Sequence, residues 1–428
     1  MTLEFQDCEE GGAAAASAVR GRDADQLAIA QLSWWLKSRR PSAFPFQDVL
    51  LAYRRKGKHF VAPEVTEELK KVRGNLEGAM LSAHPVIGSF LNVMLDKHDG
   101  RYDYRSYLAL ELLGLPAEET LTQRRRDPQP ELDRSIVLLA TDIVRFELDA
   151  LDGKSTWLPQ RAARQDLVET RCRRTLKALT PYLNRLRLGD LIDLQHPMQS
   201  ASAVVQAVGA TMSRDDELRL QLSHVPVYVV HDEYMFIRIL QCFESVFAWI
   251  CAQLRLAIDA CAHDVATTVA CLQQCCQHLQ DASPFFHLLS TLDPESFKDF
   301  RTYTEGASAI QSRSYKRVES LCAKPADERL HSIAYHSVPE VQSRVLSGHE
   351  TLDDTYTRAS ADGRHAAAEM DELRQVMEKF QLTLQRWRQS HYAIAVKMLG
   401  KGSGTGYTEG TPYLNEVRNI PVFQSINS

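Results

Sequence analysis

The sequence predicts an all-α protein, in which a helical bundle follows a helical N-terminal extension. Apolar residues recur at intervals of three and four along most of the chain, and this spacing places them on one face of a helix. A single β-branched run, Val225–Val230, could be extended, but it is short and isolated. A hydrophobic content of 44% and a charged content of 25% are typical of a globular protein.

Composition shifts divide the chain into three parts. Residues 1–24 are rich in alanine, glycine and acidic residues, which predicts a disordered N-terminus. Residues 25–123 form a helical N-terminal extension of unknown role. The run Arg124–Pro130, three arginines followed by two prolines, reads as a linker. Residues 131–428 form the larger domain.

Helical periodicity dominates the larger domain, and no internal repeat is evident. The predicted helices are Leu132–Leu151, Asp166–Leu186, Asp232–Ala262, Val265–Leu279, Pro294–Tyr303, Ala307–Cys322 and Ala367–Leu399.

Charge and hydropathy exclude several classes of partner. A net charge of −5 argues against nucleic acid, which requires a concentrated basic face. No segment approaches the roughly 20 apolar residues that span a bilayer, so we expect no membrane partner. The acidic N-terminus lacks the order of a signal peptide, which favours a cytoplasmic location.

The nine cysteines show no disulfide framework. Cys271 and Cys275 would share a helical face near His278, but no second Cys/His pair lies close in sequence to complete a zinc site. We therefore expect reduced, partly buried thiols, as in a cytoplasmic protein.

A histidine lies on the apolar face of the last long helix. The residues on that face are Leu384, Trp387, His391, Ile394, Ala395 and Met398. His391 therefore points inward, either as a core residue bonded to a carbonyl or as a metal ligand. The glycine-rich loop Gly400–Gly406 follows at the C-terminal end of this helix, whereas a phosphate-binding loop precedes a helix N-terminus.

Three motifs in order resemble the heme-dependent tryptophan 2,3-dioxygenase family, within the superfamily that includes the indoleamine 2,3-dioxygenases. The first motif runs from Asp232 to Gln241 and on to Glu244. The second runs from Phe297 through Phe300-Arg301 and Gln311-Ser312 to Glu319. The third is Trp387-Arg388 with His391, followed by Gly404-Thr405-Gly406. The resemblance covers residues 185–415, and the first 130 residues have no part in it.

The resemblance implies a heme-binding helical bundle with heme b as cofactor and dioxygen as co-substrate. It implies that His391 is the proximal ligand of the heme iron and that Arg301 binds the carboxylate of an amino-acid substrate. The planar, charged guanidinium of arginine suits that task. Without the motif, Arg301 would be assigned to a surface ion pair with Asp299 or Glu305.

The resemblance also implies a substrate pocket. Phe236 would form part of the ring pocket and Phe297 its wall, although core packing is the commoner role of such aromatic residues. Thr405, between Gly404 and Gly406, would contact the substrate's ammonium or carboxylate group when the loop closes. Because active sites of the family borrow residues across subunits, a homo-oligomer, a dimer or a tetramer, is expected.

The sequence departs from the family on the distal side of the pocket. Leu240 stands where the tryptophan dioxygenases have a histidine that accepts a hydrogen bond from the indole N–H. Leu188 and Leu191 stand where the family has two tyrosines. An indole N–H buried without an acceptor costs roughly 1–3 kcal/mol. These changes therefore bear on the choice of substrate.

Three functions follow from these observations. The first is a heme-dependent oxygenase that inserts oxygen from dioxygen into the indole ring of L-tryptophan or a substituted tryptophan. The second is a heme monooxygenase that hydroxylates a modified aromatic amino acid in specialised metabolism. The third is a non-catalytic heme-binding protein, against which the retained Arg301 and Thr405 argue.

Overall fold

The computed structural model describes residues 24–76, 84–115, 129–155, 157–400 and 410–426. Within these ranges most residues lie in helices and no β-strand is present, so the prediction of an all-α fold is confirmed. The run Val225–Val230 is extended, as its β-branched residues suggest, and it makes a single isolated bridge between Val230 and Gln160.

A second hydrophobic core, separate from the main core of the larger domain, lies mostly in the N-terminal extension. Trp35, Phe44 and Phe90 are at the centre of this core, with ring centroids 5.1 Å apart for Trp35 and Phe44 and 5.9 Å apart for Phe44 and Phe90. Leu222 and Val225 of the larger domain complete it. The helices of the extension cover residues 24–38, Phe46–Lys56, Pro63–Gly74, Pro85–Met94, Tyr104–Tyr107 and Leu110–Leu113.

The larger domain begins with three helices that pack against one another and continues into a bundle around one long helix. Its helices are Gln129–Leu151, Gln165–Arg185, Pro197–Thr211, Arg214–Leu222, Asp232–Ala260, Val265–Ala282, Phe285–Leu289, Pro294–Thr304, Arg313–Cys322, Asp327–Leu330, Ile333–His336, Pro339–Leu346, Leu352–Asp362, Ala367–Leu399 and Thr411–Val417.

The predicted helix Ala307–Cys322 is wrong in its first part. A 3₁₀ turn, Ala309–Gln311, precedes the helix Arg313–Cys322. The Ser312 side chain accepts a hydrogen bond from the backbone N–H of Tyr315 at 3.2 Å and so caps this helix. A serine that caps a helix draws its own backbone out of the helical conformation, and apolar periodicity does not report this break.

The helix Asp232–Ala260, which we call the central helix, is buried on nearly all sides. It packs against the helices Gln129–Leu151, Val265–Ala282 and Arg313–Cys322. A helix that is apolar around its whole circumference belongs in the interior of a large domain.

The central helix is also long and apolar enough, by composition, to span a membrane. The expectation that no segment approaches that length was wrong here. Because 83% of its most apolar stretch is buried inside the protein, its apolarity is accounted for by the core.

Buried ion pairs orient the central helix. Arg171 donates to Glu147 at 2.7 Å and to Asp232, the first residue of the helix, at 2.6 Å. Arg238, two turns along, donates from Nε to Asp142 at 2.8 Å. Since an unpaired charge in the interior is costly, these bonds allow the helix only one rotation about its axis.

The run Val225–Val230 is hydrogen-bonded both to the extension and to the central helix. The backbone N–H of Lys58 donates to the carbonyl of Pro226 at 2.8 Å. The Glu233 carboxylate accepts the N–H groups of Val227 at 2.7 Å and Tyr228 at 3.0 Å. These bonds satisfy the backbone of a buried segment that has no β-sheet to pair with.

Gly57 allows the extension to approach this run closely. Its φ is +83°, and a Cβ atom at this position would lie 2.5 Å from the carbonyl oxygen of Val227. We expect Gly57→Ala to lower the free energy of unfolding by about 2 kcal/mol or more, because the substitution adds a backbone clash to an unfavourable φ. Chemical denaturation would measure this loss.

Gly153→Ala is the matched control. Gly153 has a φ of +69° but nothing within 4 Å of the added Cβ, so only the cost of the backbone conformation, about 1 kcal/mol, is expected. Equal losses in the two variants would show that the close approach at Gly57 does not matter for stability.

Candidate functional site

A cavity of about 260 Å³ lies beside the central helix, between it and the helices Pro294–Thr304, Arg313–Cys322 and Ala367–Leu399. One buried water molecule needs roughly 10–15 Å³, so the cavity is large enough for an organic ligand. Its lining is mainly apolar and aromatic, with several charged side chains, which is the usual character of a ligand site.

Five residues predicted for the site line this one cavity. They come from three helices far apart in the sequence: Phe236 and Leu240 from the central helix, Phe297 and Arg301 from Pro294–Thr304, and His391 from Ala367–Leu399. Thr405, Gly404 and Gly406 lie outside the described residues.

His391 lies on the cavity wall with Trp387, Ile394 and Met398, as the helical spacing predicts. Burial lowers the pKa of His391, which favours the neutral imidazole with an unprotonated nitrogen. The Trp387 ring, one turn earlier, contacts Phe243, with ring centroids 4.7 Å apart. The part of the cavity wall that carries His391 is therefore both aromatic and aliphatic.

A second aromatic wall contains Phe236, Phe297 and Phe300. The ring centroid of Phe236 lies 5.7 Å from that of Phe297 and 5.2 Å from that of Phe300. Leu240 follows Phe236 by one turn on the same helix and is half-buried at the cavity. The three rings are tilted by 51–89° to one another, so this wall can contact an aromatic ligand through both ring faces and ring edges.

Arg301 is half-buried at the cavity, and desolvation lowers the pKa of its guanidinium. The two carboxylates nearest to it in sequence are both engaged elsewhere in the fold. Asp299 accepts a hydrogen bond from Arg161 at 2.8 Å, and Glu305 lies 3.0 Å from Lys97.

Leu188 and Leu191 do not line the cavity. Both are partly buried against the core of the larger domain, beside the helices Gln165–Arg185 and Pro197–Thr211.

A buried charged cluster at the cavity was not predicted. Glu319 accepts hydrogen bonds from Lys316 at 3.0 Å, Arg329 at 2.9 Å and Arg388 at 2.7 Å. All four side chains line the cavity. Glu319 and Arg388 lie in the recognised motifs, whereas Lys316, one turn before Glu319 on the same helix, and Arg329 were not singled out, because the burial of the cluster appears only in three dimensions.

This cluster carries an excess of positive charge. Burial alone would raise the pKa of Glu319, but the three cations outweigh it and hold that pKa well below its ordinary value. Burial lowers the pKa of Lys316 to about 8. Three cations and one carboxylate leave a positive surface that favours an anionic group in the cavity.

The eight cysteines in the described ranges are buried, and none of them forms a disulfide. In the same ranges, no group of three or more His, Cys, Asp or Glu side chains is placed to hold a metal ion.

No protein-family model matches the chain. A tryptophan 2,3-dioxygenase of Bradyrhizobium sp. (strain ORS 278) is 24% identical over 252 residues, which cover 50% of this chain and 90% of that protein. A tryptophan 2,3-dioxygenase of Burkholderia mallei (strain SAVP1) is 21% identical over 230 residues, or 46% of this chain and 75% of that protein. The chain is therefore distantly related to tryptophan 2,3-dioxygenases over about half of its length.

The Glu319 cluster gives a stability prediction. We expect Glu319→Gln to lower the free energy of unfolding at pH 7 by about 3–5 kcal/mol, because it leaves buried cations without their partner. Since the folded-state pKa of Glu319 lies below its ordinary value of 4.5, its contribution is present above pH 4.5 and is lost as the pH falls further. Urea denaturation across this pH range would measure both effects.

Glu340→Gln is the control for this prediction. Glu340 is exposed and lies 3.6 Å from Arg313, so its loss should cost no more than about 1 kcal/mol. A similar cost for both variants would mean that the Glu319 cluster is not a buried network in solution.

Proposed function

We propose that this protein is a heme-dependent oxygenase that acts on the ring of an aromatic amino acid, tryptophan or a substituted tryptophan. One observation carries the proposal: Phe236, Leu240, Phe297, Arg301 and His391 all line a single cavity. The distant relationship to tryptophan 2,3-dioxygenases supports the same assignment.

The residues present fit heme b. His391 offers an imidazole nitrogen at the cavity wall, and its lowered pKa keeps that nitrogen available to iron. The aromatic and apolar lining suits the apolar macrocycle. The positive surface of Lys316, Arg329 and Arg388 suits the two propionate groups of heme. Heme, when bound, supplies the redox chemistry with dioxygen.

The remaining residues bind and orient the substrate. Arg301 binds the carboxylate of the amino acid through its guanidinium fork. Phe236 and Phe297 contact the aromatic ring and hold it in place. Leu240 excludes water from the distal side. Positioning of this kind can supply a large part of the rate enhancement when the cofactor carries out the redox step.

A second candidate is a monooxygenase that hydroxylates a modified aromatic amino acid, in which one oxygen atom enters the ring and an external two-electron reductant converts the other to water. It is favoured by Leu240, which offers no acceptor to an unsubstituted indole N–H. Mass spectrometry of the product formed under isotopically labelled dioxygen distinguishes the two functions, because two labelled atoms indicate the first and one indicates the second.

His391→Ala is expected to abolish the Soret absorption band of the purified, heme-reconstituted protein, because the variant lacks the imidazole assigned to the iron. His287→Ala replaces an exposed histidine and should leave the band unchanged. An absorption spectrum of each protein measures the outcome. An unaltered Soret band in His391→Ala would contradict the ligand assignment.

Arg301→Ala is expected to raise the dissociation constant for the amino-acid substrate on the order of ten- to a hundredfold, because a charge-assisted hydrogen bond contributes roughly 1.5–3 kcal/mol. Heme content should not change. Arg301→Lys, which keeps the charge without the fork, should have an intermediate effect. Arg313→Ala, at an exposed arginine, is the control. Parallel losses of heme and substrate binding in Arg301→Ala would indicate a structural role.

A further inference from the structure

The N-terminal extension reaches the cavity of the larger domain. Tyr104 and Tyr107, on the short helix Tyr104–Tyr107, both line the cavity. They are 5% and 3% exposed and pack in one cluster with Phe236 and Leu240. The N-terminal extension, which has no part in the motif resemblance over residues 185–415, thus forms part of the pocket wall.

This part of the extension is held from two sides. The backbone N–H of Tyr104 donates to the side-chain oxygen of Gln311 at 3.0 Å. The side-chain amide of Gln241, on the central helix, donates to the carbonyl of Leu108 at 2.8 Å. Asp103 caps the short helix through the N–H of Ser106 at 2.8 Å. These hydrogen bonds hold Tyr104 in a fixed position relative to the pocket.

Tyr104 hydrogen-bonds to Glu244, which lines the cavity one turn after Leu240 on the central helix. Glu244 is 1% exposed, and its Oε1 accepts a hydrogen bond from the Ser312 hydroxyl at 2.5 Å. No salt bridge found in the described ranges involves Glu244. Burial accordingly raises its pKa to about 7, against the opposing effect of its hydroxyl partners.

A carboxylate has about four acceptor positions, and the hydroxyls of Tyr104, Ser312 and Ser314 use three of them, which leaves one. Acceptor capacity therefore remains on a side chain that faces the cavity. Leu240 supplies none, so Glu244 is the nearest acceptor along this face of the central helix. A buried acceptor of this kind discriminates strongly against a ligand that lacks the matching donor.

We propose that Glu244 binds the hydrogen-bond donor on the substrate's aromatic ring, an indole N–H or a phenol O–H. Tyr104 is the positioning residue that holds the Glu244 carboxylate for this contact. The N-terminal extension is thereby part of the substrate site. This inference rests on the proposed function, since it assumes an aromatic amino acid in the same cavity.

Isothermal titration calorimetry of the heme-reconstituted protein tests the proposal with two ligand pairs. L-Tryptophan is compared with 1-methyl-L-tryptophan, and L-tyrosine with L-phenylalanine, because each pair differs at the ring donor. In the unmodified protein, the donor-bearing member of at least one pair should bind about tenfold more tightly or better.

The variants separate the roles of the two residues. Glu244→Met removes the acceptor and should abolish the preference, while Glu244→Gln, which keeps an amide oxygen, should reduce it severalfold. Tyr104→Phe should also reduce the preference while leaving heme binding intact. Tyr53→Phe is the matched control, because its buried hydroxyl donates to the carbonyl of Met94 at 2.8 Å within the extension, outside the cavity lining.

An undiminished donor preference in both Glu244 variants would overturn the proposal, and so would equal effects of Tyr104→Phe and Tyr53→Phe. If the unmodified protein binds heme and aromatic amino acids without any donor preference, this inference fails and the proposed function stands. If it binds neither heme nor any of the four amino acids, both fail.

Discussion

The buried carboxylate of Glu319 fixes the position of the helix that carries His391, and the candidate site depends on that position. Arg388 donates to it at 2.7 Å and also to the Tyr315 hydroxyl at 2.6 Å. These bonds fix the rotation and the axial position of the helix Ala367–Leu399 relative to Arg313–Cys322. His391 lies three residues after Arg388, so the same bonds determine where its imidazole meets the cavity. A rotation of this helix would leave several buried charges unpaired, and that cost is large.

The walls of the cavity are oriented by the same principle. Arg171 and Arg238 pair with carboxylates on neighbouring helices and hold the central helix in one rotation, which turns Phe236, Leu240 and Glu244 toward the cavity. Buried ion pairs of this kind do not necessarily add net stability, but they exclude alternative packings of apolar helices. The large apolar surface of the central helix drives burial, and the charges select its orientation.

Much of the fold could be predicted because apolar periodicity reports helices directly. The helix Ala367–Leu399 was predicted to the residue, and the face that carries His391 followed from its spacing. The start of Arg313–Cys322 was mispredicted, because a serine cap interrupts the helix without interrupting the pattern of apolar residues. The predicted Phe236 and Arg301 lie at the cavity, whereas Lys316 and Arg329 gave no signal, since charged residues on a helix usually face solvent.

The sequence by itself determined the helices, their apolar faces and the order of the motifs, because these are properties of neighbours along the chain. Only the tertiary structure decided that Arg329 and Arg388 join the local pair of Lys316 and Glu319, and that Tyr104 of the extension meets Glu244. Such meetings join residues separated by up to 140 positions in the chain. They depend on the packing of whole helices, and no local spacing encodes that packing.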